Sequence, residues 1–81
     1  MKIKVKLFAF LQDQLGPVVT VEVTNPIRVT DILKQVSQLA PQLTTTLANS
    51  RLAINQEFID RDEVSLTAND EVAIIPPVSG G

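Results

Sequence analysis

The sequence predicts an α+β fold in which a mixed sheet of four to five strands packs on one main helix. Short β-like runs stand near both ends, over 2–8 and 71–75, and a single stretch of helical spacing, 32–40, lies between them. The helical stretch follows a predicted hairpin and precedes the later strands. With 81 residues and 44% apolar content, the chain has the length and composition of one domain with its own core.

The N-terminal part is predicted to form a β-hairpin with a short helical insertion. Residues 2–8 alternate between lysines and aliphatic side chains, which is typical of a half-buried strand with the lysines outside. Residues 9–15 would form one or two helical turns, which Gly16-Pro17 ends. Residues 18–24 are rich in β-branched side chains with a period of two, so we expect them to pair with the first strand.

The main helix is predicted to begin at Thr30, whose side chain would serve as the N-cap. Asp31 in the first turn would be favoured by the helix dipole, and Pro41 would close the helix. The apolar residues follow an i, i+1, i+4, i+7, i+8 spacing that defines one buried face: Ile32, Leu33, Val36, Leu39 and Ala40.

The later segments complete the predicted sheet. They comprise a strand over 50–54, a turn at Asn55-Gln56, a short strand over 57–59, a polar loop over 60–63 and a last strand over 71–75. Pro76-Pro77 would stop the last strand, because proline cannot donate to a β-ladder. The order β-β-α-β-(β)-β, with the first and last strands as parallel neighbours, is the architecture of the ubiquitin-like β-grasp.

The composition disfavours several classes of function. Cysteine and histidine are both absent, so a disulfide, a thiol nucleophile, a metal site and the usual general base are not expected, and a self-sufficient enzyme is disfavoured. Net charge is −2, without a basic run, Trp or Tyr, which disfavours nucleic-acid binding. The alternating N-terminus is unlike a signal peptide, and no run approaches the roughly 18 apolar residues of a membrane span. We therefore expect a cytoplasmic protein that does not enter the membrane.

The C-terminal segment is the strongest candidate for chemistry. It follows the predicted domain, 1–75, as a flexible tail over 76–81: Pro76, Pro77, Val78, Ser79, Gly80 and Gly81. Without side chains, a Gly-Gly end can be threaded into a narrow active site, and a terminal carboxylate becomes an electrophile once it is adenylated. In polyproline geometry, at about 3.1 Å per residue, such a tail would extend about 19 Å. We predict Gly81 as the reactive group; the alternative is a frayed terminus without function.

Three apolar residues are predicted to dock a partner protein: Phe8, Phe58 and Ile75. Phe8 breaks the alternation of the first strand and falls on its lysine face. If Val72 and Ile74 point inward, Ile75 points outward beside Phe8, and the two would form an apolar patch at the root of the tail. The alternative is that Phe8 and Phe58 complete the core.

The charged residues are unevenly distributed along the chain. Six of the nine acidic residues lie between Glu57 and Glu71. They would either steer the chain towards a basic rim on a partner or form an ordinary solvated surface. Lys2, Lys4 and Lys6 are interpreted as outer-face lysines that discourage aggregation.

Three segments carry a resemblance to a known family. Residues 3–9 with their spacing to Gly16, the segment 52–58 and the segment 70–81 resemble the small subunits of molybdopterin synthase. The most specific part is the ending, in which Asp-Glu-Val-Ala, two apolar residues, Pro-Pro-Val, a small residue and Gly-Gly follow one another. The chain departs from the family pattern at Ile75, where an aromatic residue is frequent, and at Asn69, where glycine is usual and asparagine would have to adopt the left-handed backbone.

The resemblance implies a sulfur carrier in molybdenum cofactor biosynthesis. An adenylating enzyme similar to ubiquitin-activating enzymes would use ATP to activate Gly81, and a sulfur donor protein would convert it to a thiocarboxylate. The tail would then enter the large catalytic subunit and donate sulfur to a pyranopterin precursor. By the same resemblance, this subunit binds no cofactor, the large subunit supplies the catalytic groups, and two small and two large subunits form a heterotetramer.

Three other functions remain open at this point. The chain would fit a sulfur carrier for thiamine synthesis or another pathway, since such carriers share the fold and the Gly-Gly end. It would also fit a ubiquitin-like modifier joined to lysines, or an interaction domain with an incidental tail.

Overall fold

The protein is described by a computed structural model that covers residues 1–77. Seven strands and three α-helices occur in this part of the chain. They are β1 (Lys2–Leu7), α1 (Ala9–Leu15), β2 (Val18–Glu22), β3 (Ile27–Arg28), α2 (Val29–Leu39), α3 (Thr44–Ala48), β4 (Arg51–Ile54), β5 (Glu57–Phe58), β6 (Glu63–Val64) and β7 (Val72–Ile75), with a 3-10 turn, Pro41–Leu43, between α2 and α3.

Five strands form a mixed sheet in the order β2-β1-β7-β4-β5. At its centre β1 and β7 run parallel, with Val5 opposite Val72 and Leu7 opposite Ile74. The flanking strands β2 and β4 are antiparallel to their neighbours. The predicted α+β class, the mixed sheet and the parallel pairing of the first and last strands are thereby confirmed.

One face of this sheet builds the core. The strict alternation of β1 places every second side chain inside, and Val5 is completely buried. Ile32 and Val36 of α2 are also fully buried in the same apolar cluster. Leu39 is instead 56% exposed, so its predicted place on the buried helix face is wrong. The helix ends there, and Ala40 closes the core after it.

The start of α2 also differs from the prediction. Thr30 is not the N-cap; the helix begins at Val29, and its first turn is held by Asp62 from a distant loop. The backbone N–H of Thr30 donates to Oδ1 of Asp62 at 3.0 Å, its hydroxyl donates to Oδ2 at 3.2 Å, and the N–H of Val29 donates to the Asp62 carbonyl at 2.8 Å. A carboxylate there satisfies helix-end N–H groups and complements the dipole.

Several short elements were absent from the sequence prediction. Glu63, expected in a polar loop, belongs to β6, which pairs with β3 as a separate two-stranded sheet. Helix α3 follows the 3-10 turn, and it is anchored by Leu43 and Leu47, which are both 1% exposed. The i, i+4 spacing of these two leucines was the available signal.

Backbone conformation explains two of the turns. Gly16 ends α1 at a φ of 89°, and its N–H donates to the carbonyl of Gln12 at 2.8 Å. Asn55 and Gln56 have φ values of 51° and 70°, which suit the tight hairpin between β4 and β5. Asn69 is not among the residues with positive φ, so the left-handed conformation expected there is wrong.

The loop before β7 is tied to the β4–β5 turn. Asn55 accepts a hydrogen bond from the N–H of Glu71 at 2.9 Å and donates to Asp70 at 3.1 Å. Asp70 also accepts from the N–H of Thr67 at 2.8 Å. The Thr67 amide first, and the Asn55 side chain second, hold the pKa of Asp70 below its ordinary value of 3.8. These bonds fix the position from which β7 starts.

At one edge of the sheet, a helix side chain takes the place of a neighbouring strand. The side-chain oxygen of Gln35 in α2 accepts from the backbone N–H of Glu22 at 3.0 Å, and its amide nitrogen donates to the Glu22 carbonyl. This blocks further strand pairing at the end of β2. Within residues 1–77, no helix is long and apolar enough to cross a membrane.

Candidate docking surface at the end of β7

The face of the sheet turned away from the core carries the residues predicted to dock a partner. Phe8 follows β1 on its lysine side and is 43% exposed, while Ile75 ends β7 half-buried. Val72 and Ile74 are buried in the core, as parity predicted. The alternative that Phe8 completes the core is therefore wrong.

An apolar groove lies where β7 ends, and we call it the tail-root groove. It has a volume of about 610 Å³ and is lined by Phe8, Ala9, Phe10, Thr46, Ile75, Pro76 and Pro77. Only Thr46 among these residues is polar. The structure thus brings together Phe8, Ile75 and the two prolines at the base of the predicted tail.

Phe10 was missed by the sequence prediction. It is 52% exposed and lines the tail-root groove, whereas its neighbour Leu11 is completely buried. Since Leu11 anchors α1 in the core, Phe10 must point away from it. The signal was the i, i+4 pair Leu11 and Leu15, which defines the inner side of α1 and leaves Phe10 outside.

 Ala9 has a φ of 52°, in the left-handed region that costs a non-glycine residue about 1–2 kcal/mol. The carbonyl of Phe8 accepts hydrogen bonds from the N–H groups of Leu11 at 3.1 Å and Gln12 at 3.3 Å, which hold the corner. The sharp turn brings the side chains of Phe8 and Phe10 to the same groove.

Phe58 lies on the same side of the sheet but outside the tail-root groove. It pairs with Ala53 in β4 and is 53% exposed, so the alternative that Phe58 completes the core is also wrong. The guanidinium carbon of Arg51 lies 4.0 Å from the centre of the Phe58 ring, in a cation–π contact. Arg51 is in turn the β-sheet partner of Ile75, and it separates Phe58 from the groove.

The outer face is more basic than the rest of the molecule. Lys2, Lys4 and Lys6 are exposed along β1, and Nζ of Lys6 lies 3.4 Å from a carboxylate oxygen of Glu71. Most residues of the acidic stretch 57–71 lie in loops or on strands at the far edge of the sheet. Steering by that acidic stretch remains a prediction.

The predicted reactive end lies outside the described residues. Pro76 is half-buried and Pro77 exposed, both against the tail-root groove. Val78, Ser79, Gly80 and Gly81 are not described, so their roles, and the division into a domain of 1–75 and a tail of 76–81, stay predictions. Within residues 1–77, no group of three or more Asp or Glu side chains is placed to hold a metal ion.

The fold and the apolar groove at the base of a Gly-Gly segment define a ubiquitin-like β-grasp domain. The sequence model of the ThiS family matches residues 5–81. A molybdopterin synthase sulfur carrier subunit of Chlamydomonas reinhardtii is 37% identical, with all of both chains covered. A protein of the same name from Dictyostelium discoideum is 48% identical over 52 residues, 63% of this chain and 60% of that protein's length. The chain belongs to the ThiS family, and its full-length match places it among the molybdopterin synthase sulfur carrier subunits.

Solved structures show the same fold. SAMP1 of Haloferax volcanii, a small archaeal modifier protein, has a TM-score of 0.76 and 30% identity, with all of both chains covered. The complex of subunits 1 and 2 of the molybdopterin-converting factor from Helicobacter pylori contains a chain with a TM-score of 0.68 and 21% identity, again over the full length of both. At that identity the second likeness concerns the fold alone.

Proposed function

We propose that the chain carries sulfur as a thiocarboxylate on Gly81 and delivers it to a pyranopterin precursor in a large catalytic subunit. Membership among the molybdopterin synthase sulfur carrier subunits supports the pathway. The observation that carries the docking part of the proposal is the tail-root groove, where apolar side chains surround the base of the tail.

The chemistry at Gly81 has two steps. A carboxylate oxygen attacks the α-phosphate of ATP, forming an acyl-adenylate and releasing pyrophosphate. Hydrosulfide released by a donor protein then attacks the acyl carbon and displaces AMP, and loss of its proton leaves a thiocarboxylate. We propose that the adenylating enzyme binds ATP, that this chain holds no cofactor of its own, and that the reaction takes place in the cytoplasm.

Docking to the large subunit uses the groove described above. Phe8 and Phe10 are large and exposed, and Ile75 at the end of β7 lines the same groove. Aromatic residues are enriched at protein interfaces, where they often contribute much of the binding energy. The complex of the two subunits of the Helicobacter pylori factor is consistent with this partner. We propose a heterotetramer with two small and two large subunits, in which the large subunit supplies the catalytic groups.

An intact-mass measurement tests the proposal. The chain is incubated with the adenylating enzyme, ATP and sulfide, and the variant lacking Gly81 serves as the control. We expect the wild-type chain to gain the mass difference of one sulfur-for-oxygen exchange and the variant to remain unchanged. An unmodified wild-type chain, with an adenylating enzyme that activates another substrate, would contradict the proposal.

A second function is favoured by one specific observation. The likeness to a small archaeal modifier protein, at 30% identity over the full chain, fits a protein that is joined to lysines. In that case the acyl-adenylate would be consumed by a lysine amine, and an isopeptide bond would form. Mass spectrometry of cell extracts for Gly-Gly remnants on lysines, lost when Gly81 is deleted, would establish this role.

A further inference from the structure

We propose that the lysine strip of β1, defined as Lys2, Lys4 and Lys6, docks against an acidic surface of the large subunit. The inference rests on the proposed function and adds the charge of the partner's surface beside the groove. The strip is continuous with the tail-root groove, since Phe8 follows Lys6 on the same side of the chain. The strip and Phe8 together extend about 20 Å along the chain, at about 3.3 Å per residue.

The charges of the molecule are separated between its two sides. The outer face of the sheet carries four basic side chains, Lys2, Lys4, Lys6 and Arg51, and two acidic ones, Glu22 and Glu71. Its net charge is therefore +2. Because the whole chain carries −2, the remaining side chains carry −4. A partner that approaches the outer face meets a positive surface on an otherwise acidic protein.

The neighbours of the strip compensate its charge only in part. In β2, Lys2 is opposite the acidic Glu22, whereas Lys4 is opposite Thr20 and Lys6 is opposite Val18, which are uncharged. On the other side of β1, a carboxylate oxygen of Glu71 lies 3.4 Å from Nζ of Lys6. Among residues 1–77, Lys4 takes part in no ion pair within 4.0 Å.

An acidic protein surface fits this arrangement better than a phosphate polymer or a lipid surface. The strip borders aromatic and aliphatic side chains, so the same partner must cover apolar and basic surface together. The net charge of −2 also opposes attraction to a polyanion at long range. Rim charges of this kind mainly accelerate association and make it sensitive to salt.

Association kinetics with the large subunit test the inference. The double variant Lys2→Glu/Lys4→Glu is compared with Lys34→Glu, which reverses one charge on α2, and with Lys34→Glu/Arg28→Glu, which matches the double change in net charge. We expect the strip variant to associate about tenfold more slowly at low salt, with the difference closing at high salt. The matched variant should change the association rate by much less.

The outcomes separate the inference from the proposed function. An unchanged association rate in the strip variant, or an equal loss in the matched variant, would overturn the inference while leaving thiocarboxylate formation intact. A chain that forms no complex with the large subunit would overturn both. Salt-sensitive binding to vesicles containing phosphatidylserine, lost in the strip variant without any effect on association, would assign the lysines to a membrane surface and overturn the inference.

Discussion

The two faces of the central sheet are built by the same strands and differ in burial and in the side chains that they carry. On the inner face, alternate residues of β1 and β7 are buried against α2, and side chains such as Val5 and Ile74 are fully excluded from solvent. On the outer face, the intervening residues of β1 are lysines, and Phe8 and Ile75 line the groove where β1 and β7 end. A period of two thus lets one short strand contribute to the core on one face and, in the proposed function, to recognition on the other.

The largest expected effect comes from the inner face. Ile74→Ala should lower the free energy of unfolding by about 2–5 kcal/mol, because the side chain is fully buried and leaves a cavity. Its neighbour Ile75, on the other face, provides the matched control, and Ile75→Ala should cost less than half as much. Chemical denaturation of both variants measures the difference; equal losses would show that the two faces do not differ in their contribution to stability.

The next effect concerns recognition on the outer face. Phe10→Ala should weaken binding of the large subunit about 30-fold, or about 2 kcal/mol, because exposed aromatic residues at interfaces often act as anchors. The free energy of unfolding should change little, since Phe10 is about half exposed. Titration calorimetry compares this variant with Phe58→Ala, which removes a ring outside the groove. A greater loss for Phe58→Ala would move the docking centre to β5.

A smaller effect is expected at Ala9, in the turn between Phe8 and Phe10. Ala9→Gly should raise the free energy of unfolding by up to about 1 kcal/mol, because glycine adopts a positive φ without strain. Ala48→Gly in α3 is the control, and it should destabilise the protein since glycine is unfavourable in a helix. Thermal unfolding measures both. A loss of stability in Ala9→Gly would show that the corner is not strained.

The smallest effect is a dependence on pH. The folded state holds the pKa of Asp70 below its ordinary value of 3.8, so this carboxylate stabilises the fold above that pH. The contribution is lost as the pH falls through the lowered pKa. Asp70→Asn should therefore have a lower melting temperature than the wild type at neutral pH, and the gap should close in acid. Asp13→Asn is the control, and a gap that persists below the lowered pKa would contradict this account.

Much of the fold could be predicted because its signals are local. The alternation of Lys and aliphatic residues in β1 and the parity of 72–75 were sufficient for both faces of the central strands. The start of α2 was not predictable in the same way, since Asp62 reaches it from a loop 32 residues further along the chain. Tertiary capping replaced the local cap that Thr30 would have supplied.

The candidate site was predicted only in part, because some of its residues are placed by local patterns and others by tertiary packing. Phe8 and Ile75 could be placed by strand parity, whereas Phe10 depends on a short helix whose inner side is defined by Leu11. The separation of basic from acidic side chains between the two sides of the molecule could not be predicted from the sequence either. The lysines could be assigned to one face, but the folding of the acidic stretch 57–71 away from most of that face depends on the order of strands in the sheet.

The most direct test of the account is a map of backbone amide chemical shifts on titration with the large subunit. Binding through the outer face predicts the largest changes at Phe8, Phe10 and Ile75, with smaller changes along β1. The groove between α2 and α3, lined by Leu33 and Leu47 among others, lies away from the sheet and should remain unchanged. Changes centred on that helical groove, with Phe10 and Ile75 unaffected, would contradict the assignment of the outer face as the docking surface.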